Sequence, residues 1–163
     1  MQKEAILLAA SLIILSGIML SGCQSITGFY ADEKQTAIVT RVTDGDTITI
    51  EGGERVRLLG INCPEKGEQF YSDGKKFVEQ LLLYKEVELE RDVINKDQYG
   101  RILRYVWFDG KLVNEQIARQ GLAVAQVYEP NHKHNDIIAA AEKAAIDDKL
   151  GIWNEIGAAI EQE

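Results

Sequence analysis

Cysteine is almost missing from this chain: its 163 residues carry two, Cys23 and Cys63. With Cys23 placed in a processing site (below), Cys63 has no partner and no internal disulfide is expected. Histidine is as scarce, with His132 and His134 alone. Their spacing suits a strand better than a helix, they open a helical stretch, and no cysteine or acidic cluster lies near, so zinc is disfavoured. Basic charge is in short supply too: 18 Lys and Arg stand against 26 Asp and Glu, a net charge of -8. Partners that carry dense negative charge usually meet a basic field. Either the cations gather at one place or such a partner is wrong. No internal repeat and no low-complexity block is present.

No apolar run is long enough to cross a bilayer comfortably. Ile6 to Leu20 is almost unbroken apolar sequence, but at ~1.5 Å per residue it falls short of a hydrocarbon core about 30 Å thick. It follows Lys3 and ends in Leu20-Ser21-Gly22-Cys23, a small-residue ending that reads as an export signal over residues 1–22. That ending resembles a bacterial lipobox, which implies cleavage before Cys23 and a lipid on its sulfur. The alternative is an uncleaved anchor. Residues 23–35 form a polar tether. The expected location is the cell envelope, lipid-anchored, at the outer membrane or the cell surface.

What is present is one domain with an ordinary hydrophobic share, 45%. Ile38, Thr40 and Val42 alternate with Ala37, Val39 and Arg41, a first strand. Asp44-Gly45-Asp46 marks a tight turn, Thr47–Glu51 alternates, Gly52-Gly53 turns again, and Glu54–Ile61 gives a third strand. Phe70, Phe77, Val78, Leu81 and Leu82 recur at helical spacing over Glu68–Tyr84, with Ser72 or Asp73 to cap it. Val87–Val93 and Ile102–Phe108 are further strands around a polar loop, Asn95–Gly100. A helix follows through Ile117 and Ala118 with Gly121 as its terminator, then a last helix over His132–Leu150. Tyr84, Trp107, Phe108 and Trp153 are expected in the core. Five strands with a helix between the third and fourth match an OB-fold barrel in an α+β domain over residues 36–155, with a tail at 156–163.

Several charged residues fall at strand ends or in adjoining loops. Asp46 and Glu65 are carboxylates able to hold a hard cation and a water. Arg57 and Arg101 are planar forks suited to phosphate oxygens. Each has an ordinary explanation: Asp44-Gly45-Asp46 is common turn chemistry, Arg57 would pair with a carboxylate across the barrel wall, Glu65 would be solvated, and Arg101 would form a rim ion pair. An EF-hand is excluded, because Thr49 and Arg55 stand where such a loop needs Gly and Glu. Cys63, beside Pro64, is expected to be a half-buried filler rather than a thiolate nucleophile. Together the set fits phosphodiester cleavage, where a stable anion must be approached and extra charge stabilised.

The pieces Asp44-Gly45-Asp46-Thr47, Val56-Arg57-Leu58-Leu59-Gly60-Ile61, Pro64-Glu65, Asp97-Gln98-Tyr99-Gly100-Arg101 and Asp109-Gly110-Lys111-Leu112-Val113-Asn114, with Ile152-Trp153 at the end, resemble the staphylococcal nuclease (thermonuclease) family from about Thr36 to Trp153. The resemblance implies a calcium-dependent nuclease of DNA or RNA that leaves 3′-phosphates, acting as a monomer. It implies calcium ligands at Asp46, Asn62 and the backbone carbonyl of Cys63. Glu65 would activate water, Arg57 and Arg101 would bind phosphate, and Tyr99 and Tyr128 would lie near the nucleotide. The family's reference enzyme has aspartate where Asn62 stands, so weaker calcium binding is expected. It has a lysine and a tyrosine where Gln98 and Gln126 stand, and it is basic where this chain is acidic. Arg41, Arg57, Arg101, Arg104, Lys75 and Lys76 are the cations available for a positive mouth. The alternatives are an OB barrel that binds without cutting and a structural envelope lipoprotein.

Overall fold

A computed structural model describes residues 34–154. The expected signal segment, Cys23, most of the tether and the tail lie outside the described residues. Eight strands and three α-helices follow in order: β1 (Gln35–Val42), β2 (Thr47–Ile50), β3 (Arg55–Leu58), β4 (Ile61–Asn62), α1 (Tyr71–Leu82), β5 (Glu86–Glu90), β6 (Ile102–Phe108), β7 (Lys111–Leu112), α2 (Val113–Arg119), β8 (Val124–Ala125) and α3 (Asn135–Asp147). β3, β2, β1, β5 and β6 are neighbours in that order, and β3 also pairs with β6. That parallel pairing, Arg57 opposite Leu103, closes a five-stranded barrel. The fold is the expected α+β OB barrel.

Alternation decides which side chains fill it. Val56 and Leu58 on β3 are wholly buried and pack with Ile48, Val39, Leu89 and Val106, each large apolar side chain contributing roughly 1.5–3 kcal/mol. The intervening Arg57 must face the other way. Its neighbours across the sheet are Thr47 on β2 and Leu103 on β6, so these three share one outer face. Fully buried Asn114 pins the barrel to α2: its amide donates to the Leu59 carbonyl at 2.7 Å and accepts from the Val106 amide at 2.9 Å.

Four expectations shift. The third strand stops at Leu58, because Gly60 turns with φ +78 and sends Ile61–Asn62 to pair with Val124–Ala125. A side chain at Gly60 would stand 2.5 Å from Ile138 Cδ1. α1 starts without a Ser72 or Asp73 cap. A turn at Glu65–Glu68 leads into it instead, and Phe70 takes a left-handed φ of 62. The fourth strand ends at Glu90, since Asp92 and Asn131 capture the amides of Val93, Lys133 and Ile94. Tyr84, expected in the core, is 75% exposed, whereas Trp107 and Phe108 pack partly buried against it. Among the described residues no helix is long and apolar enough to cross a membrane.

Candidate active site

The site begins with a tight approach. Gly45 lies so close to Cys63 that a Cβ there would be 2.7 Å from its Sγ. This closeness lets the turn before β2 lay Asp46 against the β4 segment, where Asp46 Oδ2 accepts the Cys63 amide at 2.9 Å. Asp46 is buried, and Asp44, two residues before, accepts its amide at 3.2 Å. Burial pushes the Asp46 carboxyl up to about 6, against the opposing pull of Arg57. The Cys63 thiol is pushed far up by burial and then by Asp46, so it stays a neutral thiol.

Arg57 is the hub. One terminal nitrogen, Nη2, reaches Asp46 Oδ2 at 3.2 Å, Asn62 Oδ1 at 3.1 Å and the Tyr128 hydroxyl oxygen at 2.9 Å. The other, Nη1, donates to the Leu58 carbonyl at 2.8 Å. The Tyr128 ring lies 5.5 Å from the guanidinium carbon. Arg57 therefore does pair with a carboxylate, as its ordinary explanation holds, but it also faces a cavity.

Arg101 has a parallel setting. Its Nε donates to Asp97 Oδ2 at 2.6 Å, and the Tyr99 ring lies 5.5 Å away. Asp97 also accepts the amides of Tyr99 and Arg101, both at 2.9 Å. Burial alone would raise the Asp97 carboxyl, but the Arg101 guanidinium and these amides outweigh it and hold it below its ordinary range. Thr47 links the two halves: its hydroxyl donates to Asp46 Oδ1 at 3.0 Å and accepts from Arg101 Nη1 at 3.4 Å.

Two cavities share Arg101. One, of about 320 Å³, is lined by Arg57, Arg101 and its partner Asp97, by Tyr99, Tyr128 and Gln98, and by the apolar Leu59 and Leu103. The other, of about 440 Å³, is lined by Arg55, Glu65, Tyr99 and Arg101. Glu65 sits exposed on the loop after Pro64, its amide bonded to Glu68 at 2.6 Å. Asp46, Arg57, Asn62, Cys63 and Tyr128 are thus in one contact network, which Thr47 joins to Arg101 and Tyr99, whereas Glu65 only lines a cavity with Arg101 and touches none of them. An apolar pocket with two cations at its wall can seat a phosphate and the flat group next to it.

Sequence reasoning quoted Thr47 and Asp97 within the motifs but gave them no role, and it missed Arg55. The four-residue spacing of Asp97 and Arg101 was visible, whereas Thr47 needed its cross-strand register. Conversely, Arg104 is buried, donates to the Leu103 carbonyl at 2.7 Å and lines neither cavity. Its charge is disfavoured by burial and then by Arg91. Lys75 turns to Glu79 at 3.9 Å. His134 is engaged elsewhere, 2.9 Å from buried Glu90 and edge-on to Tyr105 and Trp107.

Comparison with known proteins bears on the family of the chain. The profile described as Staphylococcal nuclease homologue matches residues 55–155. The thermonuclease of Staphylococcus hyicus is 34% identical over 160 residues, 91% of this chain and 95% of that protein. The thermonuclease of Staphylococcus intermedius is 38% identical over 128 residues, covering 73% and 76%. Endonuclease YncB of Bacillus subtilis is 39% identical over 139 residues, covering 77% and 66%. With a matching profile over residues 55–155 and relatives that share most of its length, the chain belongs to the staphylococcal nuclease family.

Proposed function

We propose that the chain is a calcium-dependent nuclease that cuts DNA or RNA and leaves 3′-phosphates. Nuclease activity, hydrolysis of phosphodiester bonds, goes with the family. The observation that carries the finer proposal is the pairing of Arg57 and Arg101 on one cavity, each backed by a tyrosine, with Asp46 bonded to the first.

The donors near Asp46 fit a hard cation. Asp46, its neighbour Asp44 and the Asn62 amide oxygen are all oxygen ligands, the class calcium takes. Among the described residues no three His, Cys, Asp or Glu side chains converge on one point, so the ion would rely on Asp46, Asn62, the Cys63 carbonyl, waters and the substrate itself. A buried carboxylate whose ionised form is disfavoured despite a neighbouring arginine is also a group that a cation would relieve. Bound calcium would supply Lewis-acid polarisation of a phosphate oxygen.

The chain's own groups do the remainder. Arg57 trades a neutral acceptor, Asn62 or the Tyr128 hydroxyl, for a phosphate oxygen, and Arg101 meets another from the opposite wall. Their fixed positions stabilise charge that grows in the transition state, a contribution of about 10²–10³ in rate per donor. Glu65, on the neighbouring cavity, accepts the proton of the attacking water. Tyr99 and Tyr128 flank the nucleotide. Export and lipid attachment at Cys23 complete the proposal. A Cys23→Ser chain that partitions with membranes as the native one does would count against that part.

The test is hydrolysis of single-stranded DNA by the full chain, with calcium and with excess chelator. Activity should vanish on chelation and return with calcium, and Glu65→Gln should lower kcat by at least about 10² while DNA is still bound. Equal rates with and without chelator remove calcium from the mechanism, and unchanged cleavage by Glu65→Gln removes the assigned base.

A further inference from the structure

We infer that Arg55 forms a second phosphate subsite, which holds the backbone of the nucleotide adjoining the one that is cut. The inference rests on the nuclease proposal and extends it to a residue outside the motif set. Arg55 opens β3 two positions before Arg57. Residues two apart on a strand project from the same face, their Cα atoms about 6.6 Å apart, on the scale of one step of an extended polynucleotide backbone. Thr49 and Thr47 stand opposite the two arginines on β2, so the arginines form a row along one edge of the cleft.

The partners of Arg55 set it apart from most surface arginines. Its Nη2 donates to the Tyr99 carbonyl at 3.1 Å. None of the ion pairs among the described residues includes it, although Glu54 beside it pairs with Lys96 at 3.3 Å. An exposed guanidinium is therefore fixed by a neutral acceptor with donors to spare, on the wall of the 440 Å³ cavity that also holds Glu65 and Arg101. Arg101 belongs to both cavities. A phosphate held by Arg57 and Arg101 thus has a neighbouring phosphate position within reach of Arg55. With the Glu65 carboxylate facing the same space, a second cation there keeps the entrance net positive for an anionic strand. The substrate class is accordingly an oligonucleotide rather than a single-nucleotide diester, and the bond Arg55 makes to Tyr99 orders the loop that carries Arg101.

The experiment compares the full chain with Arg55→Gln and Arg55→Lys. Two substrates are used: a single-stranded DNA 12-mer and a nitrophenyl phosphodiester of one nucleoside. Arg55→Gln should raise KM for the 12-mer about five- to tenfold with kcat within about twofold, the size expected for one solvent-exposed hydrogen-bonded contact. Its effect on the small diester should be several-fold smaller, and Arg55→Lys should recover most of the lost affinity. With a labelled 12-mer in calcium-free buffer, the slope of log K against log salt should become shallower by about 0.7, the share of one phosphate contact on a single strand. Lys143→Gln serves as the charge control, since Lys143 pairs with Asp147 on α3 and lines neither cavity. It should leave the slope unchanged. Equal losses on both substrates would make Arg55 only a strut for the Tyr99 loop and overturn the inference, as would unchanged KM and slope. Failure of the native chain to cleave either substrate would overturn the nuclease proposal alone, because the binding slopes still decide the role of Arg55.

Discussion

Replacing Asp46 by Asn should make the protein more stable and inactive. Asp46 is 6% exposed, and burial lifts its carboxyl from 3.8 to about 6 in spite of Arg57. A raised carboxyl is one whose protonated form the fold prefers. Its favourable contribution is complete below pH 3.8, declines as pH climbs, and is gone above about pH 6. The rise from 3.8 to about 6 corresponds to a few kcal/mol, at about 1.36 kcal/mol per pH unit. Asparagine keeps one oxygen, for the Cys63 amide, but puts an NH2 where Oδ1 accepted the Thr47 hydroxyl and leaves Arg57 without its carboxylate, and both changes take back part of the gain. The net expectation at pH 7.5 is a stabilisation of about 1–2 kcal/mol. Urea unfolding followed by tryptophan fluorescence, in chelator so that no cation stabilises the native chain, measures it. The gain should shrink to nothing by about pH 4. Added calcium should narrow the gap by stabilising only the native protein. A variant less stable than the parent at pH 7.5 in chelator, or a gain independent of pH, would refute the reasoning.

Asn62→Asp should add a formal charge beside Asp46 and tighten calcium binding by about tenfold, since ligand charge count sets such affinities; calorimetric titration of the full chain reads it, and an unchanged dissociation constant would remove position 62 from the ligand set. Asn114→Ala should cost about 2–4 kcal/mol in urea unfolding, because it strands the Val106 amide and the Leu59 carbonyl inside the core. A loss under about 1 kcal/mol would mean that both groups find other partners.

The barrel was legible because period-two alternation around Thr47–Ile50 and Arg55–Leu58 is a local signal, and the turns before and between them are written in Asp and Gly. The end of β3 was not, since only the packing of Gly60 against Ile138 on distant α3 forces the chain to break there. The same limit applies to Tyr84: helical spacing counts it as a core position, yet the chain turns there with φ 61 and leaves it in water. In the site, Arg57 stands out as a charge inside an apolar strand, whereas Asp46 and Arg101 sit in a turn and a loop and could be singled out only as members of a set of motifs. Thr47 and Arg55 look ordinary in sequence. What gives them a place is strand register: Thr47 faces Arg57, and Arg55 extends the row by one step.

Register also answers the difficulty raised by an acidic chain. A net charge of -8 opposes a polyanion only over the distance at which charges are felt, about 8–10 Å at ordinary salt. Inside that distance the composition of the whole chain matters less than which side chains line the cleft. Arg55, Arg57 and Arg101 line it with Glu65 and Asp97, and Asp97 is already bound to Arg101. Alternation on β3 fixes two of these arginines on one face, and the loop before β6 brings the third across from them. Other basic residues are spent elsewhere, Arg104 in the wall and Lys75 on a helical ion pair. A few cations held rigidly at the point of chemistry can therefore replace a basic surface. In the proposed mechanism the cost would fall on the rate of first encounter, which depends on the long-range field, and not on the stabilisation of charge at the phosphate, which would depend on the geometry of two guanidinium groups.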